Sequence, residues 1–205
     1  MIASPQEIES VIGPARGARF CCLHWQVRMI AGLSILVSAL AGPGAARASD
    51  GPDVEARIKA AFVYNFARFV EWPARPVPGP VRIGILGHGD LGGPIETVTK
   101  GKLANGRPIE VAYISAATEA DCCEILLIER SESKHVREIV QALAGKPVLT
   151  VSDGESALRD GVMIVFQIVE ESVRFQINQD AAERAGLKVS SQLLKVALPG
   201  PGKRQ

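Results

Sequence analysis

The sequence predicts an α/β fold: a single compact domain with a mostly parallel sheet, one antiparallel hairpin strand, and helices packed on the sheet. Short β-branched runs alternate along the chain with segments of helical periodicity, and parallel strands need crossover connections, which are usually helical. Two late apolar runs are separated only by Glu170 and Glu171, the spacing of a hairpin. Of the 205 residues 47% are hydrophobic, enough for one core of ordinary size.

The N-terminal fifth of the chain is predicted to be a targeting segment. Arg28 precedes an apolar run from Met29 to Leu40, and Ala46-Arg47-Ala48 has the small-x-small form that signal peptidase accepts. The run is too short to cross a hydrocarbon core about 30 Å thick. We therefore expect cleavage after Ala48 and export to the periplasm; an uncleaved anchor and a start at Met29 are the alternatives. The predicted parts are a signal peptide at 1–48, a mature N-terminal tail at 49–54, the domain at 55–198 and a flexible tail at 199–205.

The mature chain is predicted to open with a helix from Val54 to Val70. Its apolar face is predicted to comprise Ile58, Ala61, Phe62, Phe66, Phe69 and Val70, with Arg57, Lys59, Asn65 and Arg68 on the opposite side. Glu71-Trp72-Pro73 ends this helix. Strands are then expected at 81–86, 109–114, 125–128, 147–151, 162–169 and 172–177, helices at 91–99, 136–143 and 178–185, and a final short element at 187–198.

The charge balance argues against polyanion binding. Lys and Arg total 23 and Asp and Glu total 22, a net charge of +1, so no basic footprint for a nucleic acid or an anionic membrane surface is present. We expect no nucleic-acid partner.

The stretch from Gly87 to Gly92 is a literal GxGxxG between a predicted strand and a predicted helix, the context of a dinucleotide-binding turn. That motif also needs an acidic residue near the end of the second strand, for the ribose hydroxyls. Here that strand ends in Tyr113-Ile114-Ser115, and Glu110 lies at its start. We therefore interpret the glycines as a tight strand-to-helix turn and expect no cofactor.

No catalytic or metal constellation is complete. The serines Ser152 and Ser156 stand outside any GxSxG elbow, and Ser152-Asp153-Gly154 is typical of a turn. His88 and Asp90 offer a metal two ligands, and His135 is the one other histidine of the mature chain. We expect no catalytic residues and no metal.

The mature chain holds one adjacent thiol pair, Cys122 and Cys123, and no CxxC motif, which argues against a thioredoxin-type site or a zinc site. We interpret the pair as thiols at the start of a buried strand; a redox switch and an intermolecular disulfide are the alternatives.

Aromatic residues cluster in the first helix, and two of them are candidate partner anchors. Tyr64 is predicted to point away from the core face and Trp72 stands at the helix end; Trp and Tyr are frequent at interface hot spots. On the last predicted strand Arg174, Gln176 and Asn178 alternate with apolar residues. These three are candidates for partner or ligand binding, with Arg174 suited to a carboxylate; a solvated polar face is the alternative.

The residues resemble the YfiR family. Residues 59–73, KAAFVYNFARFVEWP, are similar to the family's KAAFxYNFxKFVEWP helix. LTVSD at 149–153, GVMI at 161–164, RFQIN at 174–178 and AGLKVSSQLL at 185–194 follow in the family's order and spacing. The resemblance spans about residues 55–197.

The resemblance implies a periplasmic, non-enzymatic regulator that dimerises. Its partners would be the periplasmic sensor domain of an inner-membrane diguanylate cyclase, which it represses, and an OmpA-like outer-membrane lipoprotein that sequesters it. A periplasmic small-molecule sensor is the alternative function. The chain lacks the cysteines for the disulfides of well-known members, and Gln176 stands where an acidic residue is common. Redox control through those disulfides is therefore not expected.

Overall fold

The computed structural model describes residues 52–73 and 79–200. The predicted signal peptide lies outside the described residues, as does most of the predicted C-terminal tail. No helix in the described ranges is long and apolar enough to cross a membrane.

The first helix, α1 (Pro52–Phe69), begins with proline at a position that needs no amide donor, and Asp53 and Glu55 in its first turn suit the helix dipole. Its buried face is rotated from the predicted one. Ile58 and Ala61 are exposed, whereas Lys59, expected on the polar side, is buried. The buried positions are Ala56, Lys59, Ala60, Val63, Phe66, Ala67 and Val70. Three of these seven positions are alanine, whose small side chain lets the helix lie close to the sheet.

The remaining elements follow the predicted alternation. The strands are β1 (Val70–Glu71), β2 (Val81–Leu86), β3 (Leu103–Ala104), β4 (Arg107–Ile114), β5 (Ile125–Ile128), β6 (Leu149–Ser152), β7 (Ile164–Val169), β8 (Ser172–Ile177) and β9 (Lys188–Val189). The further α-helices are α2 (Gly92–Thr99), α3 (Val136–Ala142), α4 (Gln179–Arg184) and α5 (Ser191–Val196). Short 3-10 helices span Ala117–Cys122, Arg130–Glu132 and Glu155–Leu158.

The main sheet has the strand order β3-β4-β2-β5-β6-β7-β8, and β1 pairs with β9 in a separate ribbon. Strands β4, β2, β5, β6 and β7 are parallel, whereas β3 and β8 are antiparallel to their neighbours. The predicted fold class is confirmed, including the hairpin of β7 and β8. The chain passes from β2 to β4 on one side and then to β5 on the other, which makes the carboxyl ends of β2 and β5 a topological switch point.

The sheet separates two apolar cores. One lies under α1, α2, α4 and α5 and includes the stacked rings of Phe66 and Phe166, with Phe175 edge-on to Phe66. The other lies under α3 and the 3-10 helices and includes Leu126, Ile128 and Val165. Because the inner strands are covered on both faces, their residues form continuous apolar runs, as in β5.

Candidate functional site

A small ionic cleft lies at the carboxyl ends of the parallel strands, where ligands bind in open α/β sheets. Its volume is about 130 Å³. The turn after β2 contributes Asp90 and Leu91, and α1 contributes Glu55, Ala56 and Lys59. Glu129 and Arg130 follow β5, and Asp153 follows β6.

Lys59 is the centre of the cleft, with 2% of its surface exposed. Its ammonium group donates to the carboxylates of Glu55, one turn earlier on α1, and Asp153, at the end of β6. Arg130 donates to the second oxygen of Asp153 at 2.8 Å. A lysine is rarely buried unless it is paired. The Lys59–Asp153 pair therefore ties the start of α1 to the sheet.

The carboxylate of Glu129 occupies the glycine turn. It accepts a hydrogen bond from the backbone N–H of Leu91 at 3.2 Å, at the start of α2. A Cβ atom at Gly89 would lie 2.0 Å from Oε2 of Glu129, so this position has no room for a side chain. Gly87 has φ of 91°, in the left-handed region. The protein's own carboxylate thus occupies the place that a phosphate takes in a dinucleotide turn.

The cleft is internally satisfied. Within the described residues no buried side-chain nitrogen or oxygen lacks a partner, and no group of three or more His, Cys, Asp or Glu side chains is arranged to hold a metal. Its volume is also below the roughly 300–1,000 Å³ of small-molecule sites. These features fit a role in fixing α1 on the sheet.

The two aromatic candidates on α1 are engaged in internal contacts. The hydroxyl of Tyr64 donates to the carbonyl of Leu103 at 3.2 Å, and the ammonium of Lys102 lies 4.7 Å from the Tyr64 ring centroid. The indole N–H of Trp72 donates to the carbonyl of Glu124 at 3.0 Å. Tyr64 and Trp72 are half-buried. Both contacts hold the second half of α1 and the segment after it against the sheet.

The three candidates on β8 have different surroundings. Gln176 accepts from Gln167 at 3.0 Å and donates to the carbonyl of Pro199 at 3.1 Å. The side chain of Asn178 accepts from the N–H of Ala181, which makes it the predicted N-cap of α4. Arg174 is exposed and makes no hydrogen bond or ion pair with a described residue. Arg174 and Gln176 lie on the sheet face opposite α1, so the structure does not join them to Tyr64.

An exposed apolar surface lies on α1 and the β7–β8 hairpin. Ile58 is 41% exposed and Ile168 is 47% exposed. Ile58 lies one helical turn before Phe62, and Ile168 lies two residues after Phe166, whose ring neighbours that of Phe62. Both residues are therefore displaced from this ring pair toward the carboxyl ends of the parallel strands. We call this surface the α1–hairpin patch; it comprises Val54, Ile58 and Ile168, whereas exposed Val169 lies on the opposite face of the sheet. Sequence reasoning missed it, because it placed Ile58 in the core.

The hairpin tip beside this patch is strained. Glu170 and Glu171 have φ of 49° and 60°, so both central residues of the two-residue turn are left-handed. Such turns strongly favour Asn-Gly, and a non-glycine residue in this region costs roughly 1–2 kcal/mol. Strain of this kind is concentrated at functional sites. The two glutamates at the tip therefore have a left-handed backbone conformation that their own side chains disfavour.

Comparison with known proteins identifies the family. The sequence profile of the YfiR/HmsC-like family, DUF4154, matches residues 56–198. A conserved domain protein from Vibrio cholerae O1 biovar El Tor is a similar solved structure, with a TM-score of 0.44 and 12% identity. That alignment covers 67% of this chain and 58% of the Vibrio chain.

Proposed function

The chain belongs to the YfiR/HmsC-like family, and on that basis we propose that it is a periplasmic regulator that represses an inner-membrane diguanylate cyclase by direct contact. The carrying observation is the family match over residues 56–198. Repression would lower cyclic di-GMP and biofilm formation. An OmpA-like outer-membrane lipoprotein would relieve it by sequestering the regulator, and the regulator itself would form a homodimer. Export through a cleaved signal peptide is part of the same proposal.

The cyclase contact is assigned to the α1–hairpin patch. Its three side chains are the largest group on one side of the fold among the large apolar residues that are exposed in the described chain, the others being Leu103, Tyr113, Val169 and Val196. Exposed apolar side chains grouped on one side of a fold are typical of protein–protein contacts. The carboxylates of Glu170 and Glu171 border it, which favours a partner surface with an apolar centre and basic residues at its rim.

A non-catalytic mechanism follows from this assignment. A regulator shifts its target's conformational equilibrium only by as much as its affinities for the two states differ. Binding through the patch to the inactive state of the cyclase's periplasmic sensor domain is sufficient for repression. Tyr64 and Trp72 are proposed as secondary contacts. Arg174 is exposed on the opposite face of the sheet and is proposed for a separate contact.

The test is genetic and uses charge substitutions in the patch. Deleting the gene in a strain that retains the cyclase is expected to raise cyclic di-GMP, and the wild-type gene is expected to restore the low level. Ile58→Arg and Ile168→Arg are expected to accumulate as folded protein in the periplasm without restoring it, because each places a charge in an apolar contact. The measurement is cyclic di-GMP in cell extracts.

Val196→Arg is the matched control. Val196 is 55% exposed on α5, outside the patch, so its arginine variant should repress like wild type. Unchanged cyclic di-GMP after deletion would exclude the cyclase as target. Full repression by both patch variants would exclude the patch as the contact.

One observation favours the second candidate, a small-molecule sensor. A groove of about 600 Å³, within the usual range for ligand sites, is lined by Asn178, Gln179, Asp180 and Arg184 on one side and by the C-terminal segment on the other. A metabolite that raises the melting temperature of wild type but not of Arg184→Ala would support this candidate. A metabolite screen without such a compound would remove it.

A further inference from the structure

The strand β4 forms one edge of the main sheet over most of its length. Its outer neighbour, β3, reaches only the first two residues of β4, Arg107 and Pro108. From Ile109 to Ile114, β4 pairs with β2 on its inner side, and no described strand lies on its outer side. This stretch of edge is therefore open in the part of the chain that the structure describes.

Alternate backbone groups of the open stretch point outward. The two-residue turn Asn105-Gly106 closes the β3–β4 hairpin at Arg107, whose N–H and C=O groups therefore face β3. Because this orientation alternates along a strand, Ile109, Val111 and Tyr113 direct their N–H and C=O groups away from β2. An edge of this kind is a template for pairing with another strand.

The open stretch is apolar and carries little charge. Tyr113 is 59% exposed, and Leu103, on β3 at the end of the stretch, is 55% exposed. Glu110 is the one charged residue between positions 109 and 114, and Arg82 of β2 donates to its carboxylate at 3.2 Å. Protected edges usually carry free charges, above all lysine. The β4 edge thus has the character of a pairing surface.

We infer that β4 is the surface through which the homodimer of the proposed function forms, by antiparallel pairing with β4 of a second copy. The inference rests on that proposal for the existence of a dimer and specifies its interface. Pairing joins two seven-stranded sheets into one continuous sheet. The β7–β8 hairpin lies at the opposite edge of the sheet, so this pairing leaves Ile168 of the α1–hairpin patch uncovered in both copies.

The position of β3 selects the register of the pairing. The outward groups belong to odd-numbered residues, and a two-fold axis at Val111 or at Ala112 keeps them opposite each other. At Val111 the axis sets Ile114 opposite Pro108 of the second copy, where β3 of that copy already lies. At Ala112 it sets Ala116 there instead, beyond the end of β4. The axis at Ala112 therefore avoids overlap with β3, and an axis farther along shortens the paired stretch.

The register centred on Ala112 is also complementary in its side chains. It sets Tyr113 of each copy opposite Val111 of the other, and pairs of an aromatic with a β-branched residue stabilise antiparallel ladders. These two pairs exchange about four backbone hydrogen bonds. The two copies of Glu110 lie about 14 Å apart along the strands, beyond the screening length of about 8 Å. A second copy therefore pairs without bringing like charges together.

The first test places a single cysteine at the two-fold axis. The background is the full chain with Cys21, Cys22 and Cys122 changed to serine and Cys123 changed to alanine, which removes all four cysteines. In the inferred register Ala112 faces its own copy with Cα atoms about 4.5 Å apart, within the range for a disulfide. We expect Ala112→Cys to form a disulfide-linked dimer under mild oxidation, seen on non-reducing gels.

Glu110→Cys is the matched control. It lies two residues away on the same face of β4 and is exposed, but its own copy is too far away for a disulfide. It should therefore run as a monomer on the same gels. If the cysteine-free chain is unfolded by circular dichroism, Cys123 is retained, since its buried thiol does not reach a second copy.

The second test keeps the native cysteines and uses sedimentation equilibrium under reducing conditions. Wild type is expected to dimerise, and Tyr113→Lys to dimerise at least tenfold more weakly, because a lysine at a sheet edge opposes pairing. A monomeric wild type, an undiminished dimer in folded Tyr113→Lys, or equal cross-linking at positions 110 and 112 would overturn the inference. A cross-linked dimer that does not bind the cyclase's sensor domain would contradict the proposed target alone, whereas sensor binding by a monomeric wild type would contradict this interface alone.

Discussion

Glu129 has a buried carboxyl group whose ionisation the fold disfavours. Burial raises its pKa, as do the charges of Asp153 and Asp90, while N–H donors from Leu91 and Gly92 lower it by a smaller amount. A carboxyl whose pKa is higher in the folded than in the unfolded chain binds its proton more tightly when folded. Its contribution to stability is therefore present at acid pH and is lost as the pH rises through the folded pKa.

Glu129→Gln is expected to remove this pH dependence. Glutamine keeps an acceptor for the Leu91 N–H without the buried charge, so its free energy of unfolding should exceed that of wild type at neutral pH. The difference should vanish near pH 4, about the ordinary carboxyl pKa. Urea unfolding at the two pH values measures it. A variant less stable than wild type at neutral pH, with a deficit that grows with pH, would contradict this view of Glu129.

Residue-scale reasoning from sequence succeeded for local features and failed for distant ones. Asn178 as N-cap and the glycine turn after β2 depend on neighbours in the chain and were predictable. The Glu129 carboxylate in that turn comes from 38 residues away. The sequence therefore holds no local signal for the pairing.

At the scale of elements, α1 is anchored at both ends. Lys59 pairs with Asp153 near its start, and Trp72 donates to the Glu124 carbonyl just after its end. The predicted helix was correct, and Phe66 and Val70 are buried as predicted. The rest of the predicted face was partly wrong, because Ile58 is exposed and Lys59, assigned to solvent, is buried. Helical periodicity assigns every lysine to the polar face. Lys59 can be buried because its ammonium group is paired with the Asp153 carboxylate.

Lys59→Ala is expected to lower the free energy of unfolding by about 1–3 kcal/mol, because the Asp153 carboxylate loses its buried partner and keeps only the exposed Arg130. Amide exchange should accelerate first in the opening turns of α1. Arg57→Ala is the control: this side chain is exposed two residues away, and its loss should change stability by no more than about 0.5 kcal/mol. Equal effects of the two variants would refute a role for Lys59 as anchor.

The hairpin between β7 and β8 is a second element where local preference and observed structure differ. Replacing Glu170-Glu171 by Asn-Gly should stabilise the fold by about 1–2 kcal/mol, because the new residues favour left-handed backbone. The same change should weaken partner binding. Chemical denaturation and a binding titration measure the two effects.

Glu170→Gln with Glu171→Gln is the companion variant, since it removes both charges and keeps the strained backbone. It should bind as weakly as the Asn-Gly variant without the gain in stability. Wild-type affinity in both variants would show that the tip does not contact the partner.

For the whole molecule, the alternation of strands and helices was enough to predict a mostly parallel sheet with one hairpin. It did not specify the order in which the strands lie, because that order depends on contacts between distant segments. The α1–hairpin patch has the same origin: Ile58 and Ile168 lie 110 positions apart in the chain, and only the fold brings their elements together. The proposed partner surface was thus beyond sequence reasoning, whereas the family was not.

The central claim is that this domain holds a diguanylate cyclase inactive through the α1–hairpin patch. The most direct measurement titrates purified mature protein against the periplasmic sensor domain of the cyclase in its own organism, with Ile58→Arg and Val196→Arg in parallel. We predict saturable binding by wild type and by Val196→Arg, and at least tenfold weaker binding by Ile58→Arg. Absence of binding by wild type, or equal affinity in all three proteins, would contradict the claim.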